Sequence, residues 1–131
     1  MISGIPANWN LRALRYTGDS WEPVPTAEGT QPGGISASSD YHEQGGWGRP
    51  LVADPAGCFM VSWTRYPLWA ALDNVTREGP FELLSRRWSP QTGWGPVEIL
   101  GNYSSMAELC ASLVCDGWGR SWACWQAWCG C

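Results

Sequence analysis

A short segment at residues 38–49, SSDYHEQGGWGR, places acidic, basic and aromatic side chains close together between glycines. It contains Asp40, Glu43, Trp47 and Arg49. Ligand sites in proteins combine aromatic surface with a few polar groups that fix the ligand's orientation. That combination suits a sugar, which has an apolar ring face and a rim of hydroxyls. The segment is therefore predicted to be a glycine-hinged loop that contributes to a carbohydrate site.

Tryptophan is the second residue type with binding chemistry, since the chain has eleven of them. Three lie in predicted turns or insertions, namely Trp47, Trp69 and Trp118. An exposed indole there can stack on a sugar, whereas a Trp folded back over its own loop is the alternative for each. The predicted ligand-binding residues are Trp47, Trp69, Trp118, Asp40, Glu43 and Arg49.

The same residue types raise the question of hydrolysis, because glycosidases use a pair of carboxylates. The candidate carboxylates are Asp40 with Glu43, Asp73 with Glu78, and Glu82. No pair stands in a diagnostic motif. His42 is the only histidine, so a histidine-based triad would have to use it. We predict that the protein is not an enzyme, and we assign no catalytic residue.

The six cysteines are concentrated near the end of the chain. They are Cys58, Cys110, Cys115, Cys124, Cys129 and Cys131. Their spacings include no Cys-x-x-Cys pair, which argues against a zinc site. No metal and no cofactor are therefore expected. Disulfides in an oxidising compartment and free buried thiols both remain open, and no connectivity follows from the sequence.

Composition excludes several classes of partner. The net charge is −4 and lysine is absent, which argues against general nucleic-acid binding. No apolar run reaches 18 residues, so membrane insertion is not expected. No signal peptide is visible in residues 1–10. The 16 glycines and 10 prolines favour short strands and turns over a helical bundle.

The elements that must position these residues come from an internal repeat. Residues 51–66, LVADPAGCFMVSWTRY, align without a gap to residues 113–128, LVCDGWGRSWACWQAW. Each segment is typical of two strands around an Asp- and Gly-containing turn, and we call these segments the front hairpins. Their identical positions are Leu51/Leu113, Val52/Val114, Asp54/Asp116, Gly57/Gly119 and Trp63/Trp125.

A second pair of segments forms the back hairpins. Residues 11–24, LRALRYTGDSWEPV, match residues 83–97, LLSRRWSPQTGWGPV, with one residue of difference in the turn. The matched positions are Leu11/Leu83, Arg15/Arg87, Trp21/Trp94, Pro23/Pro96 and Val24/Val97, with Tyr16 facing Trp88. The five repeat-matched Trp residues are predicted to pack in the core; they are Trp21, Trp63, Trp88, Trp94 and Trp125.

A front and a back hairpin together make a four-stranded antiparallel unit, and radial repetition of such units is a β-propeller. We predict a single all-β, propeller-like domain over residues 1–131, with about eight short antiparallel strands in two blades. One whole blade spans 51–100, and half-blades span 9–28 and 106–128. Insertions fall at about 29–50 and 67–80, the latter beginning with a short helix or an irregular segment.

The matching stretches are PLVADPAGCFMVSWT, LVCDGWGRSWACWQ, NLRALRY, ELLSRRW and TGWGPVEIL. They resemble the Trp-rich propeller-type repeats of secreted or surface proteins of bacteria. The resemblance implies a propeller fold and an extracellular or cell-surface location. It is poorly specific for function. A sialidase Asp-box is not present, because the Asp, Gly and Trp of residues 54–63 are too widely spaced.

Three functions follow from these observations. The first is a non-catalytic, lectin-like module whose partner is a glycan or cell-surface carbohydrate. The second is a structural or assembly subunit, because two blades cannot close a ring and leave open sheet edges. Half-blades that meet across chains would then make a homo-oligomeric propeller or a filament. The third is a glycosidase-like enzyme.

Overall fold

The computed structural model describes residues 11–26, 34–36, 41–44, 50–67, 78–105 and 111–125. The all-β prediction is confirmed for these residues, which contain ten strands rather than about eight. The strands are β1 (Leu14–Tyr16), β2 (Trp21–Pro23), β3 (Tyr41–Gln44), β4 (Leu51–Ala53), β5 (Phe59–Pro67), β6 (Glu78–Ser89), β7 (Gly93–Trp94), β8 (Glu98–Ser105), β9 (Ala111–Cys115) and β10 (Ser121–Trp125). Within the described ranges, no helix has the length and apolarity needed to cross a membrane.

Strands β3 to β8 form one central antiparallel sheet. Its middle is β5 beside β6, in a register that runs from Phe59 opposite Trp88 to Arg65 opposite Glu82. β4 and β3 pair with the two ends of β5, while β7 and β8 pair with the two ends of β6. The sheet is therefore four strands wide. It joins the front hairpin at 51–66 to the back hairpin at 83–97.

The other two hairpins are separate two-stranded sheets, β1 with β2 and β9 with β10. Each covers one face of the central sheet, and we name these the N-face and the C-face after the end of the chain that covers them. On the N-face, Ile35, Val61, Trp63 and Leu84 form a core against which Leu11, Ala13 and Trp94 pack. On the C-face, Phe81, Leu83 and Ala111 form a second core, with Tyr66, Leu100 and Trp125 against it. The described residues thus form three stacked layers, and they do not close into a ring.

The alternation of side chains along β5 explains why one strand serves both cores. Successive strand residues point to opposite faces, so Val61 and Trp63 reach the N-face while Met60 and Ser62 reach the C-face. Strand β6 is buried on both sides as well. The alternation places Leu83 in the C-face core and Leu84 in the N-face core, and the register shift at this point lies in β8, where Leu100 is skipped.

Two predicted insertions contribute to the central sheet, which corrects the sequence interpretation. The segment at 38–49 was expected to be a loop, but Tyr41–Gln44 is a strand whose backbone pairs with Thr64–Pro67 of β5. Residues 78–80 extend β6 instead of belonging to an insertion. In both places a free edge of a neighbouring strand supplies hydrogen-bond partners that no local pattern reveals. The rest of the segment predicted as a helix or an irregular region lies outside the described residues, apart from Pro67, which ends β5.

Candidate functional site

The β4–β5 turn is fixed by Asp54. Its Oδ1 accepts hydrogen bonds from the backbone amides of Ala56, at 2.9 Å, and Cys58, at 3.0 Å. Gly57 adopts a φ of 83°, a conformation that a residue with a Cβ rarely takes. The other oxygen, Oδ2, lies 3.1 Å from Nη2 of Arg87 on β6. The predicted turn role of Asp54 is therefore confirmed, and the turn is also tied to the neighbouring back hairpin.

The β9–β10 turn repeats this geometry around Asp116. Its Oδ1 accepts from the backbone amides of Trp118, at 2.9 Å, and Arg120, at 3.0 Å, and Gly119 has a φ of 77°. Oδ2 accepts from Nε of Arg120, four residues along the same turn, at 2.5 Å. The turn role predicted for Asp116 is also confirmed, but its arginine partner is local.

The tip of this turn carries an exposed aromatic and cationic group. Trp118 is 83% exposed. The guanidinium of Arg120 lies over its ring, 5.0 Å from the centroid, and 5.9 Å from the ring centroid of Trp122. Such cation–π contacts hold an exposed ring in a defined orientation. We call Asp116, Trp118, Arg120 and Trp122 the tip cluster.

The electrostatics of the tip cluster favour a charged carboxylate. Desolvation raises the pKa of Asp116, but hydrogen bonds from the Arg120 side chain and amide, the Trp118 amide and the Trp122 side chain outweigh it. The net effect is a pKa below the ordinary value for aspartate. At neutral pH the cluster therefore presents a carboxylate and a guanidinium beside an open indole face.

Glu43 is not in the exposed position that a loop ligand requires. Strand β3 places it opposite Arg65, and its side chain is only 4% exposed. The indole Nε1 of Trp63 donates to Glu43 Oε1 at 3.2 Å, and Oε2 has no hydrogen-bond partner among the described residues. A buried indole N–H needs a hydrogen-bond acceptor. Glu43 supplies that acceptor and therefore fixes the orientation of Trp63, the most buried Trp of the N-face core.

Four other predicted ligand-binding residues lie outside the described residues. They are Asp40, Trp47, Arg49 and Trp69. Their roles remain predictions. Trp118 is thus the single predicted ligand-binding residue that the structure both describes and places at the surface.

The candidate hydrolytic carboxylates are not brought together among the described residues. Glu82 forms an ion pair with Arg65 at 2.7 Å, whereas Asp40 and Asp73 lie outside the described ranges. His42 lies in β3 opposite Tyr66. Within the described part of the chain, no group of three or more His, Cys, Asp or Glu side chains is arranged to hold a metal ion. Cys58, Cys115 and Cys124 are free thiols, and Cys110, Cys129 and Cys131 fall outside the description.

The repeat-matched Trp residues do not all pack as predicted. Trp63 is 1% exposed, and Trp88, Trp94 and Trp125 are half-buried, in keeping with a packing role. The prediction that Trp21 packs in the core is wrong, since this residue is 67% exposed. Its counterpart Trp94 is held by a hydrogen bond from Nε1 to the carbonyl of Pro25, at 2.6 Å, and by Arg86 over its ring. Trp21 has no comparable layer above it among the described residues.

Sequence reasoning also missed an open groove on the N-face, of about 360 Å³. Its lining includes Leu14, Tyr16 and Trp21 from the β1–β2 hairpin and Leu51 and Phe59 from the central sheet. The repeat carries a signal for this groove. The back hairpin at 83–97 has a front hairpin paired beside it, whereas the back hairpin at 11–24 has none among the described residues.

Comparison of the chain with family models, with curated proteins and with solved structures gives no match in any of the three.

Proposed function

We propose that the protein is a non-catalytic carbohydrate-binding module in which the tip cluster of the β9–β10 hairpin stacks on a sugar ring. The observation that carries the proposal is the exposed, oriented indole of Trp118. It lies beside one carboxylate and one guanidinium, and its backbone is fixed by Asp116.

The tip cluster offers both kinds of contact that a sugar needs. The indole provides a flat apolar surface for the ring face, and the terminal Nη groups of the Arg120 guanidinium can donate to hydroxyls at the ring edge, while Asp116 holds the guanidinium through Nε. Because the turn and Arg120 already orient the indole, binding costs little side-chain entropy. One platform of this size supports a dissociation constant on the order of millimolar.

We further propose that the three layers are parts of a propeller-like stack, and that the module acts outside the cell or at its surface. The repeat of the Asp54 turn at Asp116 and the face-to-face packing of the layers support the propeller-like architecture. A weak platform on a repeated scaffold gains strength when several copies engage one glycan surface.

The test is a glycan array on the full chain, followed by titration of the best soluble sugar against variants. Trp118→Ala is expected to lower affinity at least about tenfold, corresponding to about 1.4 kcal/mol. Trp21→Ala is the matched control, because it removes another exposed Trp from the other end of the chain and should leave affinity for a soluble sugar unchanged. Binding to no glycan, or equal affinity for Trp118→Ala and wild type, would contradict the proposal.

A further inference from the structure

The two faces of strands β4 and β5 differ in what covers them. On the C-face the β9–β10 hairpin lies over them, and the interface around Val52, Met60, Cys115 and Ser121 leaves no space for a water molecule. On the N-face the same two strands border the open groove, where Leu51 is 49% exposed. The groove is apolar on both walls, with Tyr16 of the β1–β2 hairpin 58% exposed on the other side.

A second exposed apolar surface lies at the opposite end of the stack. On the outward side of the β9–β10 hairpin, Val114 is 58% exposed and Trp122 is 59% exposed. In the repeat these two residues correspond to Val52 and Met60, which are at least partly buried where the next layer covers the central sheet. The repeat therefore predicts a further layer over Val114 and Trp122, and a front hairpin inside the N-face groove.

Each of the two outer hairpins also has an unpaired strand edge among the described residues. Among the described residues, β1 pairs with β2 alone and β10 with β9 alone. Their repeat counterparts in the central sheet, β6 and β5, pair with each other. An unpaired strand edge is a ready template for a strand of another chain.

We propose that β10 of one copy of the chain pairs with β1 of a second copy, so that the two outer hairpins complete a four-stranded sheet. The central sheet gives the register. Phe59 opposite Trp88, Met60 opposite Arg87 and Ser62 opposite Ser85 translate into a set of pairs between copies. These pairs are Ser121 opposite Tyr16, Trp122 opposite Arg15, and Cys124 opposite Ala13.

An ion pair supports this register. In the central sheet, Arg87 of the back hairpin reaches Asp54 of the front hairpin at 3.1 Å. Their counterparts are Arg15 and Asp116. Among the described residues of one copy, the ion pair of Arg15 is a distant contact with Glu22, at 3.9 Å, in which both side chains are about half exposed. In the completed sheet, Arg15 of the second copy reaches Asp116 of the first, beside Arg120, as Arg87 reaches Asp54.

The completed sheet also fills the groove. The added front hairpin lies against Leu51 and Phe59 on the N-face of the second copy, with Val114 and Trp122 turned toward them. The contact joins two different surfaces, one at each end of the stack. Such a head-to-tail contact builds rings when the rotation closes and filaments when it does not.

The first test measures the mass of the full chain in solution over a range of micromolar concentrations, by analytical ultracentrifugation. Wild type is expected to form species larger than a monomer. The charge reversal Arg15→Asp should weaken association at least about tenfold, because like charges then face each other. Arg15→Lys keeps the positive charge at this exposed position and is the matched control, which should weaken association less. A strictly monomeric wild type, or equal association of Arg15→Asp and Arg15→Lys, would overturn the proposal.

The second test probes the register with a disulfide. Residues directly opposite each other on antiparallel strands have Cα atoms about 4.5–5.5 Å apart, a distance that a disulfide spans. Ala13→Cys should therefore form a covalent dimer through the exposed Cys124 of another copy under mild oxidation. Leu14→Cys is the control and should not, because its side chain points to the other face. A cross-link that persists when Cys124 is changed to Ser would reject the register. Sugar binding at Trp118 is measured on its own, so either proposal can fail alone.

Discussion

The N-face and the C-face of the central sheet are built from the same strands, yet one is partly open and the other is closed. Along β5, residues for the two faces alternate, and each set contains side chains able to form a core. The difference lies in the covering layer. The C-terminal hairpin packs over Val52 and Met60 and leaves no room for a water molecule, whereas the N-terminal hairpin leaves Leu51 and Phe59 beside a groove. In our proposal, the exposed apolar residues of the outer hairpins mark the place of a neighbouring layer from a second copy.

The two Asp turns teach the same lesson on a smaller scale. Asp54 and Asp116 accept equivalent pairs of backbone hydrogen bonds, so the turn is a local property of the repeat. Their second oxygens differ. Asp54 pairs with an arginine of the adjacent hairpin, and Asp116 with an arginine of its own turn. Four changes would break or sharpen these comparisons, and the largest effect is expected in the core.

Trp63→Ala should destabilise the protein most, by about 3–5 kcal/mol, because it removes a fully buried indole and leaves a cavity in the N-face core. Trp21→Ala removes the same side chain from an exposed repeat position and should cost less than about 1 kcal/mol. Urea denaturation of both variants measures the difference. Equal losses would mean that the difference in burial between Trp63 and Trp21 does not set their contributions to stability.

Arg86→Ala should cost about 2–3 kcal/mol, since two backbone carbonyls lose a charged donor. Arg86 donates from Nε to the carbonyl of Gly95 at 2.8 Å and from Nη1 to that of Ile35 at 2.9 Å. Burial lowers the pKa of this guanidinium, which nevertheless stays charged. Arg87→Ala, one residue along on the C-face, breaks an ion pair in which the Arg87 side chain is 47% exposed and that of Asp54 is 5% exposed. Asp54 keeps its two backbone hydrogen bonds, so the cost should be about 1 kcal/mol. Thermal denaturation ranks the stability losses of the two variants. A larger loss for Arg87→Ala would contradict the stabilising role of the two Arg86 hydrogen bonds.

Glu43→Ala should cost about 1–3 kcal/mol, because it leaves the buried indole N–H of Trp63 without its acceptor. Glu43→Gln keeps an acceptor oxygen and removes a buried charge, so it should be close to neutral. Chemical denaturation gives the two free energies of unfolding. If Glu43→Gln were as harmful as Glu43→Ala, the charge and not the hydrogen bond would be what matters at this position.

The smallest effect is expected from pH at the tip cluster. The pKa of Asp116 is lowered in the folded protein, so the carboxylate stabilises the turn above the unfolded-state pKa of about 3.9. This stabilisation is lost as the pH falls below that value and through the lower folded-state pKa. NMR titration of the carboxyl group should give a midpoint below that of a model peptide. Arg120→Gln should raise the midpoint, and an unchanged midpoint would show that Arg120 does not hold the carboxylate.

Much of the fold could be predicted from the residues alone. The Asp-x-x-Gly turns, the alternation around Val61 and Trp63 and the matched segments predict the hairpins, and the structure forms each of them. Strand β3 was missed because Tyr41–Gln44 lies among glycines and serines and gains its hydrogen bonds only from the distant end of β5. For the same reason Glu43 looked like a surface ligand. The exposure of Trp118 could be predicted, because an aromatic side chain at the tip of a tight turn has few neighbouring residues to pack against.

The sequence by itself determined the four hairpins, their turns and the repeat, because these depend on side-chain period and on backbone conformations that neighbouring residues set. Only the tertiary structure decided which repeated residues are covered. Trp21 and Trp94 occupy the same repeat position, and the burial of each depends on the layer stacked over it. That layer comes from a distant part of the chain or, in our proposal, from a second copy. The burial of a side chain depends on the residues that pack against it, and the local sequence pattern does not predict which residues these are.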